Sequence, residues 1–223
     1  KFTIAEVPIE GLPGYSPAFE VDYSKAVQVV ATVKAEEPTG RSLILQGHID
    51  VVPAGPLEQW EHPPFEPRIE NGFMTGRGAN DMKVGVAEMV FALDALKAIG
   101  LEPAADVFVE TVSEEECTGN GALSTLARGY RADACLIPEA MDNKLVRAQL
   151  GSVWFRVRIL GKPVHVLQAQ AGASAILAAY DYIAELQKLT DGLNAEAKSH
   201  PWFGHIEKPV KFSTGKIRGG DWL

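Results

Sequence analysis

One imidazole and several carboxylates stand at the ends of apolar runs in this chain. They lie in Gly47-His48-Ile49-Asp50-Val51-Val52-Pro53, in Gly76-Arg77-Gly78-Ala79-Asn80-Asp81-Met82-Lys83 and in Glu114-Glu115-Glu116. Neutral imidazole and carboxylate oxygens are the ligands of catalytic zinc centres, which keep one position open for water, so the pattern points to a metal-dependent hydrolase. His48 stands two residues before Asp50, and a metal-bound histidine usually gives its other ring N–H to a carboxylate. Asp81 sits in a glycine-rich turn whose backbone can bend sharply and come close to an ion; the plainer reading of an Asp before a helix is an N-cap. The turn fits neither of the common glycine-rich phosphate-binding patterns. Three adjacent acids repel one another and ordinarily form a solvated patch. Here they follow Val107-Phe108-Val109 and precede the 119–121 turn, and a nearby dication reverses the cost of gathering carboxylates. Neighbouring glutamates facing different sides suit two tasks, ligand and base. Glu139, after Leu136-Ile137-Pro138, gains weight from its place beside them.

The elements that must position these groups are legible in the hydrophobic pattern. Residues 42–48, 107–112 and 135–138 are short aliphatic runs bounded by polar residues or glycine, and read as buried parallel strands. Residues 84–99 carry Val86, Met89, Val90, Leu93 and Leu96 at helical spacing, with Gly100 where a left-handed cap belongs. Residues 121–130 form a shorter helix candidate with Leu123 and Leu126 on one face. Strands alternating with helices predict an α/β fold with a mostly parallel sheet. Asp50, Glu115, Glu116 and Glu139 then all fall just past the carboxyl end of a strand, where open α/β sheets bind ligands. After Leu150 the pattern changes. Residues 153–159 alternate like a strand with one wet face, and residues 173–189 form an amphipathic helix through Ile176, Tyr180, Ile183 and Leu186. Residues 190–209 read as loop and 212–217 as a further strand. The division is a metal-binding domain over 1–151 and a smaller domain over 152–223.

Composition sets the outer bounds. With 223 residues, 46% hydrophobic and 22% charged, the chain has ordinary globular character. A formal charge of -8 argues against binding nucleic acid. No apolar run approaches the roughly 20 residues of a membrane-spanning helix, and residues 1–6 lack the pattern of a signal peptide. The two cysteines, Cys117 and Cys135, are expected as free thiols in a reducing cytoplasm, with Cys117 packed.

Together the motifs resemble the di-zinc aminoacylase and carboxypeptidase family that includes acetylornithine deacetylase and succinyl-diaminopimelate desuccinylase. The likeness rests on the three motifs above and on Trp60 with Pro64-Phe65, Gly119-Asn120-Gly121-Ala122 and Ile137-Pro138-Glu139. Gly161-Lys162-Pro163-Val164-His165 and Gly215-Lys216-Ile217-Arg218-Gly219-Gly220-Asp221-Trp222 extend it. The Glu-Glu-Glu-Cys-Thr-Gly-Asn-Gly-Ala form, from Glu114, is most similar to the acetylornithine deacetylase branch. The resemblance implies a catalytic domain of di-zinc peptidase type and a ferredoxin-like α+β lid or dimerisation domain, both incomplete. It implies two Zn2+ ions, with Co2+ or Mn2+ as substitutes, bridged by Asp81. His48 and Glu139 would complete one site and Glu116 the other. Asp50 would orient His48, and Glu115 would be the general base. His165 would reach a partner subunit's site and stabilise the oxyanion, which implies a homodimer. The expected reaction is hydrolysis of the amide of an N-acyl amino acid. The alternatives are a carboxypeptidase or dipeptidase on the same machinery and a non-catalytic family member. The family's further metal-binding histidine has no counterpart here, and Ser213 stands where the family carries Asn; the chain is expected to be part of a longer protein.

Overall fold

The computed structural model describes residues 1–18 and 20–220, so Asp221 and Trp222 of the last motif lie outside the described residues. The backbone forms two compact units, Lys1–Lys144 and Leu145–Leu223.

The first unit is built on a five-stranded sheet of β1 (Phe2–Thr3), β2 (Val27–Val33), β3 (Leu43–His48), β6 (Val107–Val112) and β7 (Ala134–Leu136). Its spatial order is β1-β2-β6-β3-β7, and a separate hairpin pairs β4 (Arg68–Glu70) with β5 (Phe73–Thr75). β3 runs parallel to both β6 and β7, whereas β2 is antiparallel to β6 and to β1. The sheet is therefore mixed, not mostly parallel. The sequence reading assigns no strand before residue 42, and β2 escapes it for a physical reason. Its fully buried residue is the polar Gln28, while Val29 is 40% exposed, so burial does not follow apolarity along this strand.

Alternation along β6 sends its side chains to two different layers. Val107 and Val109 pack with Leu45 and with Met89 of helix α1 (Val84–Ala98), forming one core. Burying a methionine of this kind contributes about 1.5–3 kcal/mol. On the opposite side, Phe2, Ile4, Val7, Ile9 and Ala26 form a second core against Val30 of β2 and Leu123 of helix α2 (Asn120–Ala127). Between β6 and α2 the layer turns polar: Gln46 Nε2 donates to Glu110 Oε2 at 2.7 Å, and Thr125 Oγ1 approaches the same oxygen at 2.9 Å. α1 ends as its sequence predicts. Gly100 adopts φ 73°, and the N–H groups of Gly100 and Leu101 donate to the carbonyls of Lys97 and Leu96.

Burial departs from the pattern in two places. β7 lies at the sheet edge and all three of its residues are exposed, so it is not a buried strand. Val90 and Leu96 share the apolar stripe of α1 but are 47% and 39% exposed. Periodicity identifies which side of a helix faces the sheet, not how far the sheet extends beneath it.

The second unit contains one long helix, α3 (Ala175–Ala197), started by Ser174, whose side chain accepts from the Leu177 N–H at 3.2 Å. α3 continues past residue 189, through residues read as loop, because the side chains that turn inward there are polar. Thr190 and Asn194, one helical turn apart, are both buried. Asn194 exchanges two hydrogen bonds of 2.9 Å with the Val210 backbone. The strands expected at 153–159 and 212–217 do not form. Among the described residues of this unit, the sheet-like pairing is a single bridge between Lys162 and Ala173. A strand needs a hydrogen-bonded neighbour; here Phe155 stacks on Phe212 instead, at 6.4 Å, and Val153 and Trp154 stay exposed. A ferredoxin-like sheet is thus not seen among the described residues. Both cysteines are free and exposed, so Cys117 is not packed. Among the described residues no helix is long and apolar enough to cross a membrane.

Candidate metal centre

Because β3 runs parallel to its neighbours β6 and β7, the carboxyl ends of all three strands share one edge. His48 is the last residue of β3, the run 114–116 follows β6 and Glu139 follows β7. The central position of β3 therefore sets His48 between the two acidic segments.

His48 is 1% exposed. Its Nδ1 lies 3.0 Å from the backbone oxygen of Asp50 and 3.5 Å from that residue's Oδ1. Its Nε2 lies 3.0 Å from Asp81 Oδ1, 3.4 Å from Glu139 Oε1 and 3.7 Å from Glu115 Oε2. The Asp50 carboxylate accepts the Glu115 and Glu116 N–H groups at 3.3 and 3.2 Å. The Val52 N–H donates to Glu116 Oε1 at 3.3 Å. Two sets of three ligand atoms result, from His48, Glu115 and Glu139 and from His48, Asp81 and Glu116. Within each set the atoms lie no more than 4.8 Å apart. The five side chains converge on one place although they are spread over four segments of the chain.

Asp81 reaches this place from an irregular turn, residues 79–83, in which its own backbone is extended (φ -115°, ψ 101°) and its peptide bond to Met82 is cis. It does not cap α1, whose N-cap position is Lys83 without a side-chain cap. The turn is fastened immediately after Asp81. Met82 is 1% exposed in the interior, and Lys83 Nζ donates to the Ile49 carbonyl at 3.1 Å. Glu139 depends on a close approach of backbones. A Cβ on Gly85, in the first turn of α1, would collide with the carbonyl oxygen of Pro138.

The electrostatics are those of a site short of positive charge. Burial pushes the carboxyl of Glu115 up from its ordinary 4.5; His48 opposes this, while Glu139, Glu116 and Asp50 add to it. Burial likewise raises Glu139, opposed by His48 and reinforced by Asp81. For His48, burial alone would lower the pKa. The hydrogen bond to Asp81 and the charges of Glu115 and Asp50 outweigh it and hold the imidazole above 6.5. A dication among these groups would displace the proton from Nε2 and let both glutamates ionise. Nδ1 would keep donating to the Asp50 carbonyl, fixing the tautomer that leaves Nε2 free. The donor set, one imidazole with carboxylates, fits Zn2+, Co2+ or Mn2+.

His165 belongs to the second unit. It is exposed, and its Nδ1 accepts the Leu167 N–H at 3.2 Å at the start of the turn Val166–Ala171. Lys83, Tyr23 and Asn120 carry no separate role in the sequence pattern, yet each supports the site. The latter two sit behind the glutamate run: Tyr23 Oη donates to Glu114 Oε2 at 3.2 Å, and Asn120 Nδ2 donates to Tyr23 Oη at 2.6 Å. No local pattern signals a pairing across 97 positions.

The family described as peptidase family M20/M25/M40 matches residues 44–215. N-formyl-4-amino-5-aminomethyl-2-methylpyrimidine deformylase of Halalkalibacterium halodurans is 33% identical over 192 residues, 81% of this chain and 44% of that protein. Succinyl-diaminopimelate desuccinylase of Leptothrix cholodnii is 33% identical over 172 residues, 72% of this chain and 45% of that one. Among solved structures, the di-peptidase Dug1p from Saccharomyces cerevisiae is similar with a TM-score of 0.47 and 25% identity, over 56% of this chain and 28% of that chain. The chain spans less than half the length of the curated relatives it matches, 44% and 45% for these two.

Proposed function

The chain belongs to the M20/M25/M40 peptidase family, and from that premise we propose that it is the metal-binding part of an enzyme hydrolysing the amide of an N-acyl amino acid or short peptide. The observation that carries the proposal is the convergence of His48, Asp81, Glu115, Glu116 and Glu139 on one place at the sheet edge. His48, Asp81, Glu116 and Glu139 would hold the cations, zinc first among them, with Asp81 shared between two. Bound there, such ions supply a Lewis acid that polarises the scissile carbonyl and lowers the pKa of water.

The remaining chemistry falls to the chain's own groups. Glu115 is the general base. Its carboxylate lies 3.7 Å from His48 Nε2, and burial raises its affinity for a proton, which suits a group that takes a proton from water and returns it to the leaving amine. Asp50 holds the site from behind, its carbonyl facing the imidazole and its carboxylate gripping the Glu115 and Glu116 amides. His165 of a second copy would stabilise the developing oxyanion, making the working form a homodimer. The Glu114-to-Ala122 motif favours an acetylornithine deacetylase-like substrate.

The test uses the full-length protein with N-acetylornithine, N-succinyl-diaminopimelate, other N-acyl amino acids and dipeptides, with and without chelator. Chelator-sensitive release of the amine is expected, and Glu115→Gln should abolish it while leaving the metal bound. A near-normal rate in Glu115→Gln would remove the base assignment.

A further inference from the structure

Glu114 differs from the two glutamates that follow it. It is 5% exposed and occupies the left-handed region at φ 69°, which a residue with a side chain adopts at a cost of order 1 kcal/mol. Its carboxylate is occupied on the side of the amino-terminal segment. Thr118 Oγ1 donates to Oε2 at 2.8 Å and Tyr23 Oη at 3.2 Å. Tyr23 is held in turn by Asn120, which is 0% exposed. Asn120 Nδ2 donates to Tyr23 Oη and to the Ser16 carbonyl, both at 2.6 Å, while its Oδ1 accepts the Ser16 N–H at 3.2 Å. The Glu114 carbonyl accepts the Thr118 and Gly119 N–H groups at 3.1 and 2.7 Å. Burial raises the pKa of Tyr23 and keeps its hydroxyl a donor. The left-handed turn at Glu114 immediately precedes the two amides that reach the Asp50 carboxylate.

We propose that Glu114 is a positioning residue: its carboxylate, anchored through Thr118, Tyr23 and Asn120, holds the left-handed turn that directs Glu115 and Glu116 into the metal centre. The inference rests on the metal-centre reading and deepens it. It gives residues 16 and 23, remote in sequence from every ligand, a role in shaping the site. What matters in Glu114 is an acceptor at the end of a side chain of this length. Glutamine supplies that acceptor; glycine removes it while accepting φ 69° freely.

The test measures Co2+ binding by titration calorimetry and by the visible spectrum of the bound ion in the full-length protein, for wild type, Glu114→Gln, Glu114→Gly and Tyr23→Phe. Thermal melting identifies the folded fraction. Glu114→Gly should weaken Co2+ binding at least about tenfold and alter the cobalt spectrum while the protein remains folded. Glu114→Gln should return both to near wild type, and Tyr23→Phe should fall between. With hydrolysis as a second readout, the loss in Glu114→Gly should fall on kcat more than on KM. Wild-type affinity and spectrum in folded Glu114→Gly overturn the inference alone, as does equal impairment of Glu114→Gln and Glu114→Gly. A wild-type protein that binds no Co2+ overturns the metal-centre reading, and this inference with it.

Discussion

Gly85→Ala tests whether the packing of α1 against the segment after β7 sets the position of a ligand. A Cβ at residue 85 would strike the Pro138 carbonyl oxygen and would also lie 2.9 Å from Met82 Cε and 3.1 Å from Pro138 Cγ. Methionine can swing aside; a carbonyl in the main chain cannot. Carbon and oxygen must part by about 1 Å to regain van der Waals contact, and Glu139 is the residue attached to that carbonyl. Its Oε1 starts 3.4 Å from His48 Nε2, so a shift of that size removes it from a shared coordination sphere. Overpacking of this kind costs about 1–3 kcal/mol in stability, and misplacing a catalytic group by about 1 Å costs on the order of 10²-fold in rate. The assay is Co2+ titration with thermal melting on the full-length protein. Gly192→Ala serves as control, because nothing lies within 4 Å of the Cβ it adds. The variant should bind Co2+ at least about tenfold more weakly, equivalent to about 1.4 kcal/mol, whereas the control should bind normally and melt no lower. Wild-type affinity and melting in Gly85→Ala would refute the reasoning.

Two further outcomes follow from the same structure. Met89→Ala should destabilise the protein by about 2–5 kcal/mol in urea unfolding, because Met89 is 2% exposed and fills the core between α1 and the sheet; a loss below about 1 kcal/mol would mean that this core is not formed. Chelated and metal-loaded protein should respond oppositely to pH. The folded pKa of His48 is raised above 6.5 and those of Glu115 and Glu139 above 4.5. Each therefore contributes stability that is fully present below the unfolded value and lost as pH rises through the folded one. Chelated protein should gain stability as pH falls from about 8 to about 6, while the extra stability conferred by metal shrinks because protons compete for His48 Nε2. A metal-induced rise in melting temperature that is flat across this range would contradict the assignment.

The site was more legible in the sequence than the scaffold beyond it. Residues 42–48 and 107–112 are aliphatic runs ended by chemically distinctive groups, and both form strands at the sheet centre. α1 and α2 follow from their periodicity and from Gly100. β2 was hidden by its inward-facing Gln28, and the continuation of α3 by Thr190 and Asn194: in both cases the buried side chain is polar and its partner is distant. Residues 153–159 alternate as a strand does, but alternation states a preference and only a hydrogen-bonded neighbour realises it. The anchoring of Glu114 by Tyr23 and Asn120 is a tertiary arrangement with no local trace. The glycine that lets Pro138 approach α1 reads in sequence as an ordinary helix residue.

The most direct test of the metal centre is crystallographic. Crystals of the full-length protein grown with Zn2+ should give an anomalous difference peak at the zinc edge within about 2.0–2.2 Å of His48 Nε2 and of Asp81 and Glu139 carboxylate oxygens. A second peak should lie about 3.5–4 Å away, on Glu116 and Asp81. A peak that leaves His48 Nε2 without a metal bond, or no anomalous density among these side chains in zinc-saturated crystals, would contradict the account.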